Sequence, residues 1–296
     1  MSNIGFIVLT HANPEQAIKL NKALNSLYDY PPIAWHHDFS KCDLPIEQFS
    51  KNVEFVKEYE VTGWGTFSLV AAKMKALNLL YKNNKPDYYI ILSGADYPTK
   101  SSDEVFEFLK AQGADAFMRS AKIEYGHFDK KWKKRYYIRY CSLSFLFKRK
   151  DKKGLEVVSQ IPLLKHPLLV SRFTPFNDKY KCWGGEFWYT GSAKCAEFLI
   201  EKFADKSNSV INHFKKTKIP DEAIFHTMIN NASELNCFHD NRRYVDWSQG
   251  LPHPKTLILQ DLESIFNSQC HFARKFECNQ SKELISSINV KLNINP

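Results

Sequence analysis

Tyr88-Tyr89-Ile90-Ile91-Leu92-Ser93-Gly94-Ala95-Asp96-Tyr97-Pro98 is the stretch on which the reading of the fold turns. Tyr88 to Leu92 is the clearest strand in the chain, and it stops in the turn-rich Ser93-Gly94-Ala95-Asp96-Tyr97-Pro98. A capping box, Ser101 to Glu104, opens a helix that Gly113 stops. Strand, turn and helix in that order form a unit of an open α/β sheet, and ligands bind where such strands end.

Working back from Tyr88, short apolar runs alternate with amphipathic stretches. Ile4 to Thr10 is a first strand. Asn13-Pro14-Glu15-Gln16 supplies an N-cap, a proline at the first helical position and a Gln three residues on, so a helix runs to about Leu27. Ile33 to His37 is a second strand and Val53 to Val56 a third. Gly63-Trp64-Gly65 breaks the chain before a helix over Thr66 to Lys82, with Leu69, Ala72, Met74, Ala76, Leu77 and Leu80 at helical spacing.

Working forward, Arg119 to Lys153 crowds Lys, Arg and Tyr with little periodicity and reads as an insertion or long loop. Trp183 to Tyr189 is a strand, Ser192 to about Phe203 a helix, and Ile219-Pro220-Asp221-Glu222 opens another. The polar tail from Asn279 is expected to be peripheral. Without internal repeats or an evident linker, residues 1–296 read as one α/β domain: a central, mostly parallel twisted sheet flanked by helices. Its donor-binding half would be about 1–118, its acceptor and catalytic half about 119–278, and its tail 279–296.

The 296 residues are 44% hydrophobic and 25% charged, ordinary globular composition. A formal net charge of +9 and a pI near 9.0 call for an anionic partner: nucleic acid, an anionic membrane surface or a phosphorylated small molecule. Seven cysteines without a Cys-x-x-Cys pair fit neither a disulfide framework nor a zinc site, and Cys182 and Cys195 read as small buried hydrophobes. The apolar run Ile4 to Leu9 is too short for a signal peptide and no stretch approaches the ~20 apolar residues of a membrane span. The expected location is the cytoplasm, with peripheral contact at the inner membrane face allowed.

Neither glycine-rich phosphate motif is present, G-x-G-x-x-G after the first strand or G-x-x-x-x-G-K-[ST] anywhere, which argues against the common dinucleotide and NTP sites. There is no Asp-x-Asp. Glu58-x-Glu60 and Asp261-x-Glu263 come nearest, while Asp96 stands alone at the end of its strand, so paired carboxylates holding Mg²⁺ beside a diphosphate are poorly supported.

Several segments, in order, resemble one family. They are Thr10-His11, His37-Asp38, Trp64-Gly65, Ser93-Gly94-Ala95-Asp96-Tyr97-Pro98, Trp132-Lys133-Lys134-Arg135-Tyr136, Gly184-Gly185-Glu186-Phe187-Trp188, Pro220-Asp221-Glu222 and Phe272-Ala273-Arg274-Lys275-Phe276. Together they resemble the core-2/I-branching β-1,6-N-acetylglucosaminyltransferases and the peptide O-xylosyltransferases. The resemblance implies a GT-A-like α/β fold and an inverting, metal-independent transfer from a UDP-sugar, N-acetylglucosamine or xylose, with no cofactor. The product would be a β-linkage to a hydroxyl of a glycan, lipid-linked or small-molecule acceptor.

On that resemblance Glu222 is the catalytic base, and a helix N-terminus there would favour its ionised form. Lys275, Arg274 and Lys255 would hold the donor diphosphate, taking the place of a metal as charge develops on the leaving group. His11, Asp38, Asp96 and Trp64 would line the nucleoside side; Asp38, His11 and Asp96 read equally as strand-end, capping and turn residues. Glu186, Trp188, Arg135 and Lys134 would form the acceptor side, where aromatic faces stack on sugar rings. Two other classes remain open. Lys130 to Arg139, with Trp132, Tyr136 and Tyr137 interleaved, has the residue types of a nucleic-acid surface, though no nucleic acid is expected on the resemblance. A non-catalytic sugar-binding relative would keep the fold alone.

Overall fold

The computed structural model describes residues 3–124, 135–142, 148–150, 156–158, 160–162 and 173–295. A seven-stranded sheet forms its centre. The strands are β1 (Ile4–Thr10), β2 (Ile33–His37), β3 (Val53–Phe55), β4 (Tyr88–Ser93), β6 (Ala116–Phe117), β13 (Thr190–Ser192) and β14 (Cys237–Phe238), in the order β14-β6-β13-β4-β1-β2-β3. β13 runs antiparallel to β4 and β6, and the other four pairings are parallel, so the sheet is mostly parallel as expected. β2 is buried along its whole length, the signature of a strand covered on both faces.

Helices cover both faces. α1 (Pro14–Tyr28) and α3 (Ser102–Gln112) lie on one. α2 (Ser68–Asn83), α4 (Ala193–Ala204) and α6 (Ile224–Asn230) lie on the other, with α5 (Ser209–Phe214) packed beside α6. The α3 capping box forms as predicted, with Gly113 in the left-handed region at its C-terminus. α1 departs from expectation at its start: Asn13 has φ 55 and makes no side-chain cap, so Pro14 alone pre-sets the first turn.

Three features position the ligand-binding edge. Pairing of Leu9 with both His36 and Ser93 levels the carboxyl ends of β1, β2 and β4, so His11, Asp38 and Gly94 leave the sheet together. A three-stranded sheet then builds on that edge: β5 (Asp96–Pro98) pairs antiparallel with β16 (Phe272–Arg274), which pairs parallel with β15 (Arg243–Val245). Its register sets Arg274 opposite Asp96, closing 178 residues of chain onto the end of β4. Lastly, β7 (Ser120–Lys122) pairs antiparallel with β12 (Trp183–Gly185).

The structure corrects three expectations. Trp183 to Tyr189 is not one strand: β12 ends at Gly185 and β13 begins at Thr190, leaving Glu186 to Tyr189 as connecting backbone that faces the site. The 119–153 region contains β7, and the described residues beyond it pair as β8 (Tyr140–Ser142) with β11 (Gln160–Pro162) and β9 (Lys148–Lys150) with β10 (Glu156–Val158). The tail is not peripheral. α8 (Lys282–Leu292) buries Leu284, Ile285 and Ile288 in a third core cluster with Tyr97, Leu257, Ile265 of α7 (Leu262–Asn267), Ala273 and Phe276. No helix among the described residues is long and apolar enough to cross a membrane. Cys182 and Cys195 are buried free thiols.

Candidate functional site

The site lies where the two sheets meet the 219–222 turn. Glu222 closes a 3-10 turn, Pro220–Glu222, that precedes α6. Its carboxylate approaches Nη1 of Arg135 at 3.6 Å and accepts from the Tyr136 hydroxyl at 3.5 Å. Burial and the adjacent charge of Asp221 push its pKa up to about 7, with Glu186 adding to the rise and Arg135 and Tyr136 opposing it. This reverses the expected direction. A single 3-10 turn has little dipole to offer, and the desolvation of two neighbouring carboxyls outweighs it.

Glu222, Arg135 and Glu186 line one groove of about 580 Å³ together with Arg119, Lys122 and Gly184–Gly185. Glu186 accepts from Nδ2 of Asn241 at 2.7 Å, and its second oxygen lies 3.9 Å from Arg119, which also reaches Asp240 at 3.7 Å. The groove is a largely apolar trough, with Ala121, Ile123 and the two glycines in its lining. It carries a few polar groups, among them the cations of Arg119 and Arg135 and the carboxyls of Glu186 and Glu222, able to orient a hydroxyl-bearing ligand and to take a proton from it. Lys134, with Trp132 and Lys133, lies outside the described residues.

Beside the groove stands a second cluster. Asp96 is fully buried and paired with Arg243, whose Nη2 also donates to the Ile91 carbonyl at 2.9 Å. Asp96 accepts from the Ser93 amide and hydroxyl as well, so it is an internal brace of the β4 turn. Arg274 stacks its guanidinium 4.6 Å from the Trp188 ring, and its Nε, like that of Arg243, has no hydrogen-bond partner among the described residues. Burial lowers the Arg274 pKa and Arg243 adds to that, while Asp96 and Glu186 work against them. Lys275 follows, half-buried, and is fixed at the end of β4 because the next amide, of Phe276, donates to the Ala95 carbonyl at 2.8 Å. Lys255 is differently placed: Asp261 at 2.6 Å and Asp246 at 3.7 Å hold its ammonium.

At the far end, Asp38 is saturated. It accepts from the amides and hydroxyls of Ser40 and Thr62, with Lys41 at 3.5 Å, and these bonds hold its carboxyl well below the usual range against the cost of burial. His11 is exposed beside it, its pKa lowered by desolvation and the Lys41 charge. Thr62 reaches Asp38 while the Gly65 carbonyl accepts from the Ile219 amide at 2.9 Å, so the 62–65 segment bridges the strand ends to the Glu222 turn. Trp64, 81% exposed, stands on that bridge.

The structure thus gathers Glu222, Arg135 and Glu186 in one groove and joins it through Trp188 to Arg274, Lys275 and Asp96. Asp38 and His11 sit at the strand ends, and Lys255 is tied to carboxylates. Arg243, Arg119 and Asn241 escaped the sequence reading. Arg243 could have been sought as the counter-charge of a strand-end Asp, but only the β15-β16-β5 pairing reveals which of many basic residues it is. Among the described residues no group of three His, Cys, Asp or Glu side chains converges to hold a metal ion.

A model described as Core-2/I-Branching enzyme matches residues 6–267. Xylosyltransferase 1 of Rattus norvegicus is 22% identical over 97% of this chain and 35% of its own length. A xylosyltransferase of Ciona intestinalis is 22% identical over 93% of this chain and 32% of its own. The chain spans about a third of the length of the curated relatives it matches. Among solved structures, the WbbM bifunctional glycosyltransferase shares 10% identity and a TM-score of 0.42, covering 98% of this chain and 50% of that one. A 4-diphosphocytidyl-2C-methyl-D-erythritol synthase of Anaerococcus prevotii shares 13% identity and a TM-score of 0.33, over 72% and 84%.

Proposed function

The chain belongs to the Core-2/I-branching enzyme family, and from that premise we propose that it is an inverting, metal-independent glycosyltransferase. It moves N-acetylglucosamine or xylose from a UDP-sugar to a hydroxyl of a glycan, lipid-linked or small-molecule acceptor and forms a β-linkage. Its location in the cytoplasm, and one domain over residues 1–296, belong to the same proposal.

The observation that carries it is Glu222: a groove-lining carboxylate raised to about 7, hydrogen-bonded by Tyr136 and flanked by Arg135. A base of that strength takes up the proton of a hydroxyl near neutral pH. As it does so, the acceptor oxygen attacks the anomeric carbon from the face opposite the diphosphate. The bond from carbon to phosphate oxygen breaks and its electron pair leaves with UDP. Arg274 and Lys275, beside the end of β4, neutralise that charge, and Glu186 and Trp188 seat the acceptor.

The test is a panel of nucleotide sugars, scored by thermal stabilisation and by transfer or slow hydrolysis, each with and without a chelator. UDP and a UDP-sugar should raise the melting temperature, and turnover should survive the chelator. Turnover abolished by chelator and restored by Mn²⁺ or Mg²⁺ would overturn metal independence. Stabilisation by single-stranded nucleic acid but by no nucleotide would overturn the enzyme reading, and UDP-sugar binding without turnover would leave a sugar-binding relative.

A further inference from the structure

Lys73 lies in the middle of α2, in a buried stripe that otherwise holds Val70, Ala72, Met74, Ala76, Leu77, Leu80 and Tyr81. It is 1% exposed, and a lysine is almost never so fully buried without a partner. Its Nζ donates to the Phe187 carbonyl at 2.7 Å and faces the rings of Phe187, Phe225 and Tyr189 at 3.7, 4.3 and 4.9 Å. Three π faces and a carbonyl make a cage for an ammonium ion. Phe187 stands between Glu186 and Trp188 on the acceptor wall, and Phe225 lies three residues beyond the proposed base. α2 also packs against the Pro220–Glu222 turn.

We infer that Lys73 is a positioning residue for the base: its buried ammonium tethers the acceptor wall and balances Asp221 behind the turn, leaving Glu222 to face the groove. This rests on the glycosyl-transfer reading. Asp221 is 7% exposed and its Oδ1 has no hydrogen-bond partner among the described residues; against the cost of burial stand its own backbone amide and, after it, the charge of Lys73. Two adjacent carboxyls in a desolvated turn do not ionise independently, and a cation on one side decides which releases its proton first. Of the two carboxyls, it is Asp221 whose ionised form the Lys73 charge favours. Asp221 is thereby the readier of the two to ionise, and its charge adds to the burial that raises the Glu222 pKa. Burial holds the Lys73 pKa well below its ordinary value, and Asp221 offsets only part of that. The other charged or titratable groups around the pair are Arg135, Tyr136 and Glu186 on Glu222, and His226, which feels the Lys73 charge. Remove Lys73 and the order inverts: Asp221 keeps the proton, and Glu222 becomes a weaker base.

The experiment follows both carboxyls by ¹³C NMR titration, assigned through Glu222→Gln and Asp221→Asn, in the parent chain, Lys73→Met and Lys73→Gln. Both variants should invert the order, with the Glu222 transition falling by about one pH unit or more. Lys73→Gln keeps an N–H donor for the Phe187 carbonyl and serves if Lys73→Met does not fold; Lys73→Arg should restore the parental order. In transfer assays the acid limb should move to lower pH and kcat fall about threefold to tenfold at unchanged donor KM. An unchanged titration order in the folded variants overturns the inference, even if kcat falls. Inversion in a chain that turns over no nucleotide sugar instead sinks the glycosyl-transfer reading and leaves only the ordering of the two carboxyls by Lys73.

Discussion

Glu222 is held between opposing influences: burial and Asp221 raise its pKa, Arg135 and Tyr136 restrain the rise, and the balance falls at about 7. A base works only when deprotonated, so transfer should climb with pH through about 7 and plateau above it, which a profile of kcat/KM between pH 5 and 9 would check. Glu222→Gln keeps the shape and removes the proposed base, so kcat should fall by about 10² to 10⁴ while UDP still binds. Lys275→Ala removes a cation from the proposed diphosphate end. Donor affinity should weaken by about 1.5–3 kcal/mol, roughly tenfold to a hundredfold, read by titration calorimetry with UDP. The same substitution at Lys255 should leave UDP affinity nearly unchanged, because its ammonium is already paired with Asp261 and Asp246. Much of the site could be read from residue order, since Glu222, Glu186, Arg274 and Lys275 each sit in a short recognisable string. What could not be read is pairing. Nothing in the sequence says that Asp38 spends its carboxylate on Ser40 and Thr62, or that a lysine inside an apolar helical stripe donates to the Phe187 carbonyl.

At the level of elements, β1 to β4 and α1 to α3 follow from periodicity, with Pro14 and the α3 capping box marking starts, because each is a local decision of a few residues; β5 does not, since it becomes a strand only by pairing with the distant β16. The connection from β12 to β13 does not, because Gly185 is shaped by distant neighbours. A Cβ there would run into the Arg119 carbonyl and lie 2.6 Å from the His226 ring, which bonds Ser120 at 2.8 Å and the Glu186 carbonyl at 2.7 Å. Gly185→Ala should therefore push β12 off β7 and α6, costing about 1–3 kcal/mol in thermal unfolding and disturbing Glu186 with it. Gly65, at φ 70, plays a comparable part where the Trp64 loop meets Ile219. The tail misled for a related reason. α8 looks polar residue by residue, yet Leu284, Ile285 and Ile288 share one face and complete the core under β16. Leu284→Ala should cost about 2–5 kcal/mol by denaturant unfolding, and because β16 carries Arg274, UDP binding should weaken before the chain unfolds.

Across the whole molecule, two sets of buried groups pull stability in opposite directions with pH. His36, His213 and His226, with pKa values pushed down to about 4, and His271, to about 3, are buried neutral. Between those values and the ordinary 6.5 the unfolded chain binds protons that the folded chain refuses. Their contribution is complete above 6.5 and is lost as pH falls toward 4. Asp221 and Glu222 work the other way, their raised values favouring the folded state at low pH and penalising it as pH rises through about 6 and 7. Four groups against two leave a net loss on the acid side, so the melting temperature should drop between pH 6.5 and 4.5. Glu222→Gln separates the sets. Above pH 7 it removes a partly desolvated charge, and discounted for the one-third exposure of that side chain it should stabilise by about 1 kcal/mol, or a few degrees. Near pH 4.5, where the folded parent's carboxyl is neutral and the unfolded one is about half ionised, the gain should shrink to a few tenths of a kcal/mol, roughly 0.4 or less. Melting curves at pH 8 and 4.5 on both proteins decide it: equal melting temperatures at pH 8 would mean that Glu222 carries no desolvation cost and is not the tuned base. A variant more stable and inactive at pH 8 is the outcome expected of a carboxylate held at an energetic cost for its chemistry.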